Sequence, residues 1–230
     1  KPPAEPATLW HGGTIITMDG NKPATVQAVV ERGGRIVFAG CLTKARKLAG
    51  PSASDRDLKG QTMLPGFIDA HSHFSMLMQI ETGVDLDAGD TPPRDIPALI
   101  GLLRQGVKAK GIGEAEWIIG WNYKDEPLAE KRHVTRDDLD AAFPGRKVVL
   151  IHFTGHGLVA SSAALAAAGV KDDTPNPPGG LFLRDGKGRV NGVVFEAALM
   201  PFYQALPRPT ATQMLGALDA AQLGYASRGY

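Results

Sequence analysis

The stretch that decides the fold of this chain is Leu64-Pro65-Gly66-Phe67-Ile68-Asp69-Ala70-His71-Ser72-His73. A short apolar strand, residues 67–70, is predicted to leave a Pro-Gly turn and run into two histidines. Successive strand side chains point to opposite faces, so His71 and His73 share one face, with Asp69 one step deeper. Neutral imidazole is a common zinc ligand. A bare His-x-His pair often arises by chance and faces solvent. The preceding residues, Pro65-Gly66-Phe67-Ile68-Asp69, instead favour a metal site.

Composition excludes several classes of function. The chain has 230 residues, of which 43% are hydrophobic and 21% charged, and its formal net charge is +1. These values are ordinary for a globular protein and do not indicate a nucleic-acid surface or a polybasic membrane patch. The longest apolar runs, such as residues 148–153, are far too short for a membrane span. Cys41 is the single cysteine, so no intrachain disulfide forms.

The order of predicted elements indicates an α/β protein. Residues 8–63 are rich in short β-strand patterns. After residue 64 strands alternate with helices, which is typical of parallel βα units. The predicted strands lie at 14–18, 26–30, 36–40, 116–122 and 148–153, with a hairpin from 181–184 and 189–196. The predicted helices lie at 42–49, 96–107, from Thr135 to Phe143, up to Ala168, and from the capping-box pattern Thr210-x-x-Gln213 onward.

Several motifs resemble one protein family. The lead-in to His71 resembles the first barrel strand of the amidohydrolase superfamily. The motifs at 117–122, 155–165 and 173–180 resemble its YtcJ-like branch, amidohydrolase family 3, which includes N-substituted formamide deformylases. The chain departs from the branch at Asn122, Thr154 and Ser161, where Asp, Asp and Asn are more usual. The resemblance implies that these polar positions face the substrate region, so we expect a shifted substrate preference.

The resemblance implies the N-terminal part of a metal-dependent (β/α)8 barrel hydrolase with a small β-sandwich domain. Residues 1–63 are then the N-terminal part of the sandwich. Residues 64–230 are the first half of the barrel, with an inserted hairpin at about 180–196. A complete barrel needs roughly 250 residues, so we expect the barrel to be incomplete in this chain. The acid/base aspartate that the family places at the eighth strand is expected beyond residue 230.

The resemblance also implies a metal site, in which His71 and His73 bind one or two divalent ions, with zinc as the expected metal. Many relatives use a carbamylated lysine as a further ligand, but no lysine here ends a buried strand. Glu196 does end one and matches the Gly-x-x-x-Glu pattern of the branch from Gly192. The open alternative is a glutamate that caps or ion-pairs with the following helix.

The remaining candidate residues lie at predicted strand ends, where barrel enzymes place active groups. His156, Trp121 and Asn122 are predicted substrate-binding residues, although core packing remains an alternative for Trp121. His152 is as consistent with a core residue as with one that supports the site. His11 and His133 are predicted surface residues.

The resulting functional hypothesis is a hydrolase of non-peptide carbon–nitrogen bonds, acting on amide, N-formyl or N-acyl substrates through metal-activated water. The portion alone is expected to be inactive. The alternative is a non-catalytic or degenerate fragment of the same fold. Expected partners are a small-molecule amide and the remaining C-terminal portion of the protein or a second copy, without nucleic acid or membrane span. The Pro-rich start without methionine favours a periplasmic or secreted protein.

Overall fold

A computed structural model describes residues 5–87 and 92–230, and these residues fall into two compact units. The first unit comprises the described residues within Lys1–Ala70 together with Arg228–Tyr230, and the second comprises the described residues within His71–Ser227. No helix in either described range combines the length and apolar character that crossing a bilayer requires.

The first unit is a small sheet with one helix. Its elements are β1 (Ala7–Thr17), β2 (Ala24–Arg32), β3 (Arg35–Gly40), α1 (Leu42–Ala49), β4 (Ser54–Asp57) and β5 (Thr62–Met63). The strand order is β3-β2-β1-β4, with β5 also on β1; the β1–β2 and β2–β3 pairs are antiparallel, whereas β4 and β5 run parallel to β1. Leu9, Val30 and Ala45 are fully or almost fully buried between the sheet and α1. The predicted β-rich start and the predicted helix 42–49 are therefore confirmed.

The predicted strand at residues 67–70 is wrong. Residues 64–73 join neither sheet, and the side chains of Phe67 and Ile68 are 54% and 92% exposed. The Phe67 N–H donates instead to the Gly229 carbonyl at 2.6 Å. An extended segment becomes a strand only when a neighbour pairs with its backbone. The apolar pattern alone therefore does not create one here.

The second unit alternates helices with a six-stranded sheet. Its elements are α2 (Phe74–Thr82), β6 (Val84–Asp85), α3 (Ile96–Lys110), β7 (Ile118–Tyr123), α4 (Arg136–Ala142), β8 (Val148–His152), β9 (Gly157–Ala160), α5 (Ser162–Ala167), β10 (Gly180–Arg184), β11 (Val190–Glu196), α6 (Met200–Ala205) and α7 (Ala211–Ala226). The α/β class predicted from the sequence is confirmed, and so are the hairpin β10–β11 and the helix begun by Thr210.

The sheet is parallel on one side and antiparallel on the other. Its order is β10-β11-β9-β8-β7-β6; β6, β7 and β8 run parallel, whereas β9 and β11 each run antiparallel to their neighbours. The sequence predicts parallel βα units after residue 64 with one inserted hairpin, so the antiparallel strand β9 between β8 and β11 is the feature that it does not predict. The backbones approach closely where β11 joins. A Cβ on Gly192, whose φ is 96°, would lie 2.5 Å from the Ala160 carbonyl oxygen.

Both faces of the sheet are covered by apolar side chains. Strand β8 is buried along its apolar residues and sends Val148 and Leu150 to one core and Val149 to the other. Helices α3 and α4 pack on the first face, whereas α5 and α6 pack on the second. A strand covered on both faces has a continuous apolar sequence, which explains the apolar run at residues 148–153. The carboxyl ends of β7 and β8 therefore extend from a strand pair that is packed on both faces.

The first turn of α4 offers a test of local stability. Asp138 accepts from the Thr135 N–H at 2.8 Å and from Arg132 at 2.6 and 3.0 Å. Burial alone would raise the pKa of Asp138, but these hydrogen bonds outweigh it and hold that pKa below its usual value. The charged carboxylate therefore stabilises the folded state at neutral pH.

We expect Asp138→Asn to lower the free energy of unfolding by about 1 kcal/mol at pH 7. Because the folded pKa lies below the unfolded value, wild type loses this contribution as the pH falls below about 4. The difference in free energy of unfolding between wild type and Asp138→Asn, measured by urea titration, should therefore decrease as the pH is lowered from about 5 to about 2. Asp137→Asn, at a side chain that is 65% exposed, is the control and should change less. A difference independent of pH would contradict this account.

Candidate functional site

The two histidines of the His-x-His motif converge although no strand carries them. Their Nε2 atoms lie 3.1 Å apart, and the ring planes meet at 73°. Two nitrogens bound to one tetrahedral zinc at about 2.0–2.1 Å would be separated by roughly 3.3 Å. The arrangement therefore fits two ligands of a single ion, and both side chains are exposed to solvent.

Helices α2 and α7 position this motif. The His73 carbonyl accepts from the N–H groups of Met76 and Leu77, which begins α2 directly after the motif. Between the two histidines, the Ser72 hydroxyl forms a hydrogen bond with the Tyr225 hydroxyl of α7. The Tyr225 ring also packs against Phe74, with centroids 5.5 Å apart. Sequence reasoning missed Ser72 and Tyr225, because their contact joins positions 153 residues apart.

His156 and Glu196 form a second pair. Glu196 ends β11, and His156 immediately precedes β9, the strand that pairs with β11. The Glu196 N–H donates to the His156 carbonyl at 3.0 Å, and the His156 Nδ1 lies 3.3 Å from the Glu196 Oε2. Both side chains are more than half exposed, so the pair faces solvent.

Glu196 adopts a strained backbone conformation. Its φ of 54° and ψ of −127° correspond to the first central position of a type II′ turn, which is normally occupied by glycine. Such a conformation costs a side-chain-bearing residue about 1–3 kcal/mol and often marks a functional site. Asn122, at the end of β7, also has a positive φ of 59°.

The predicted residues do not gather into one ligand set. Among residues 5–87 and 92–230, no group of three or more His, Cys, Asp and Glu side chains is arranged to hold a metal ion. Glu196 is therefore not brought together with His71 and His73. Its observed side-chain partner is His156.

Asn122 and Trp121 face different surroundings. The Asn122 side-chain amide donates to Asp85 at 2.9 Å, linking the ends of β7 and β6. Trp121 lines a cavity of about 590 Å³ together with Ile119, Ile151 and residues near α6 and α7. Its Nε1 is buried without a hydrogen-bond partner in the described part of the chain. Trp121 thus combines a cavity wall with core packing, the two alternatives left open by the sequence.

A polar cluster follows β7 and β8 that sequence reasoning only partly anticipated. The Asp125 carboxylate lies 3.1 Å from the His152 Nε2 and 3.6 Å from the His133 Nε2. The Tyr123 hydroxyl accepts from the Val134 N–H at 3.0 Å and lies 3.3 Å from the His133 Nδ1. These side chains are brought together by the parallel pairing of β7 with β8.

The prediction that His133 is a surface residue is wrong. Its side chain is only 26% exposed and packs against the rings of Tyr123 and Phe195. Burial lowers its pKa, although Asp125 acts in the opposite direction. Burial likewise raises the pKa of Tyr123, so its phenol stays protonated. His11 is also mostly covered, at 13% side-chain exposure, and contacts Asp55 at 2.5 Å.

Comparison with known proteins places this arrangement in a family. The profile described as "Amidohydrolase family" matches residues 56–230. The chain is 36% identical over 185 residues to the N-substituted formamide deformylase of Arthrobacter pascens, covering 80% of this chain and 33% of that protein. It is 31% identical over 216 residues to YtcJ of Bacillus subtilis (strain 168), covering 93% of this chain and 39% of that protein.

A solved structure shares the fold. An uncharacterised metal-dependent hydrolase from Pyrococcus furiosus superposes with a TM-score of 0.63 at 24% identity, covering 97% of this chain and 42% of that one. The chain thus spans between a third and about two fifths of the length of these three proteins. The motifs from the His-x-His segment to Glu196 lie within the residues that the family profile matches. The chain therefore belongs to the amidohydrolase family.

Proposed function

We propose that this chain contributes the first metal ligands and part of the substrate site to a hydrolase of non-peptide carbon–nitrogen bonds. The observation that carries the proposal is the convergence of the His71 and His73 Nε2 atoms at 3.1 Å. Family membership supports hydrolysis, and the name of the Arthrobacter relative supports N-formyl or N-acyl amines as the substrate class. A metal requirement agrees with the Pyrococcus protein of the same fold, which is described as a metal-dependent hydrolase.

His71 and His73 would hold a divalent ion, with zinc as the expected metal, through their neutral imidazole nitrogens. Such an ion lowers the pKa of a bound water and polarises a substrate carbonyl. Both Nε2 atoms must be unprotonated to bind, so binding is expected to weaken in acid. Glu196 remains a predicted further ligand. Its contact with His156 supports a second role, which is to orient that histidine.

The exposed residues at the strand ends would bind and orient the amide. Glu196 accepts from the His156 Nδ1, which leaves the His156 Nε2 directed to other partners. The Asn122 side chain is fixed by Asp85 and therefore presents its carbonyl oxygen in a defined direction. A donor such as the N–H of an N-substituted formamide suits that oxygen.

One observation favours the alternative, a fold that has lost the chemistry. Within the described ranges no three ligand-type side chains are arranged so that they could hold one metal ion. Two protein ligands bind zinc more weakly than the three or four usual in enzymes and structural sites. On this alternative the chain would be a non-catalytic amidohydrolase-fold protein.

An amide panel tests the proposal. The full-length protein, loaded with zinc, should turn over N-formyl and N-acyl amines while leaving peptides largely intact. His156→Gln should lower kcat/KM without changing metal content, because His156 is assigned to the substrate. Turnover of phosphate esters only would contradict the carbon–nitrogen assignment. Absence of turnover with every substrate and divalent metal would favour the non-catalytic alternative.

A further inference from the structure

The imidazole of His152 is held from both sides at the end of β8. Its Nε2 lies 3.1 Å from the Asp125 Oδ1, and its Nδ1 lies 2.8 Å from the Thr154 hydroxyl. The ring is only 15% exposed and packs against the rings of Tyr123 and Phe153. Such a ring has little freedom to exchange partners.

The donors around His152 fix the direction of these hydrogen bonds. The Thr154 backbone N–H points at the His152 Nδ1 from 3.4 Å, and a backbone N–H can only donate. The Nδ1 must therefore accept, so the ring proton lies on Nε2 and is donated to Asp125. The Thr154 hydroxyl, facing the same Nδ1, is likewise a donor to it.

The bonds continue to His156. The Thr154 Oγ1 accepts from the His156 backbone N–H at 3.3 Å, a contact typical of a hydroxyl-stabilised turn. The Gly155 N–H donates to the His152 carbonyl at 2.8 Å and closes the same turn. The hydrogen bonds thus form an unbroken chain that runs from the His156 N–H to Thr154, from the Thr154 hydroxyl to His152, and from the His152 Nε2–H to Asp125. The turn that carries His156 is therefore linked by hydrogen bonds to the carboxylate of Asp125, which lies just after the neighbouring strand β7.

We infer that Asp125, His152 and Thr154 form a positioning relay that fixes the turn carrying His156 next to Glu196. His152 acts as an uncharged Nε2–H imidazole that orients the turn and does not itself contact substrate.

The inference rests on the proposed function only for the importance of His156, and its test needs neither metal nor substrate. Nitrogen-15 spectra of histidine-labelled protein report the tautomer of each ring, and His152→Gln identifies the relevant signals. We expect the His152 ring to be protonated on Nε2 alone at pH 7.5. A ring protonated on Nδ1, or on both nitrogens, would overturn the assignment.

Hydrogen exchange then tests whether the relay holds the turn. Thr154→Val removes the hydroxyl at nearly constant volume, and the His156 amide should exchange about tenfold faster. Asp125→Ala should have a similar effect through His152, whereas Thr154→Ser and Asp125→Asn should restore most of the protection. The amide of Leu150, in the interior of β8, serves as the reference for global stability.

Faster exchange at His156 with unchanged exchange at Leu150 supports positioning. Equal acceleration at both amides means a general loss of stability. Exchange at His156 within about twofold of wild type means that the three residues do not hold the turn. Either result overturns the inference. An inactive enzyme with the expected spectra and exchange would instead refute only the proposed function.

Discussion

Replacing either His71 or His73 by alanine is expected to lower zinc affinity by more than about 100-fold, beyond the 10–100-fold typical of outer-shell changes. The two Nε2 atoms lie 3.1 Å apart and can bind one ion together, and the loss of either leaves a single imidazole. The double variant should bind zinc only slightly more weakly than either single variant, because the loss of one imidazole already abolishes chelation by the pair. Competition with a chromophoric chelator measures the affinity, and mass spectrometry of the purified proteins measures metal content.

His11→Ala is the matched control for these variants. His11 belongs to the first unit and contacts Asp55, so its loss should leave zinc affinity unchanged. Circular dichroism of each variant checks that the fold is kept. If wild type, His71→Ala and His73→Ala all carry equally negligible metal when it is supplied in excess, the metal-site hypothesis is wrong.

Glu196→Gly is expected to raise the free energy of unfolding by about 1 kcal/mol while impairing the site. Glycine adopts the φ of 54° and ψ of −127° without steric cost, which relieves about 1–3 kcal/mol of strain. Part of this gain is offset, since glycine adds about 0.5–1 kcal/mol of unfolded-chain entropy. Guanidinium titration measures stability, and the nitrogen-15 shift of the His156 Nδ1 reports the loss of the carboxylate beside it.

Glu196→Gln separates strain from charge. The glutamine keeps the side chain on the strained backbone but removes the carboxylate, so its stability should stay within about 0.5 kcal/mol of wild type. The two variants should both lose the functional contribution of the carboxylate, whichever role it has. If Glu196→Gly is less stable than Glu196→Gln, the backbone of Glu196 is not strained in the folded protein.

Elements with local signals are predictable from the sequence. The predicted bounds of helix α1 match the structure, and α7 begins where Thr210 and Gln213 form the reciprocal bonds of a capping box. Strand β8 is recognisable because a strand buried on both faces must be apolar at every position. In the two helices the contacts that decide the structure join residues close together in sequence. In β8 both faces of the strand meet the same apolar environment.

Features set by distant partners are not predictable in this way. Residues 67–70 have a strand-like sequence but no sheet neighbour, and the sequence predicts no strand at the four residues of β9. His133 is misplaced by sequence reasoning because Tyr123 and Asp125 cover it from β7 and the loop that follows. The glycine-like backbone of Glu196 likewise gives no sequence signal. The candidate site residues and the His71–His73 pair can be found by motif, whereas the pairing of His156 with Glu196 requires the fold.

The contact between Ser72 and Tyr225 determines the order in which this site can be assembled. The His-x-His segment leaves the ribosome about 150 residues before Tyr225 of α7, whose hydroxyl bonds to Ser72 between the two histidines. Contacts of such long sequence separation form late, because a large loop must close before they contribute. The two imidazoles are therefore expected to acquire their mutual orientation only near the end of folding. A nascent chain would then meet cellular metal first as a disordered histidine pair and become a chelator only after α7 has docked on α2.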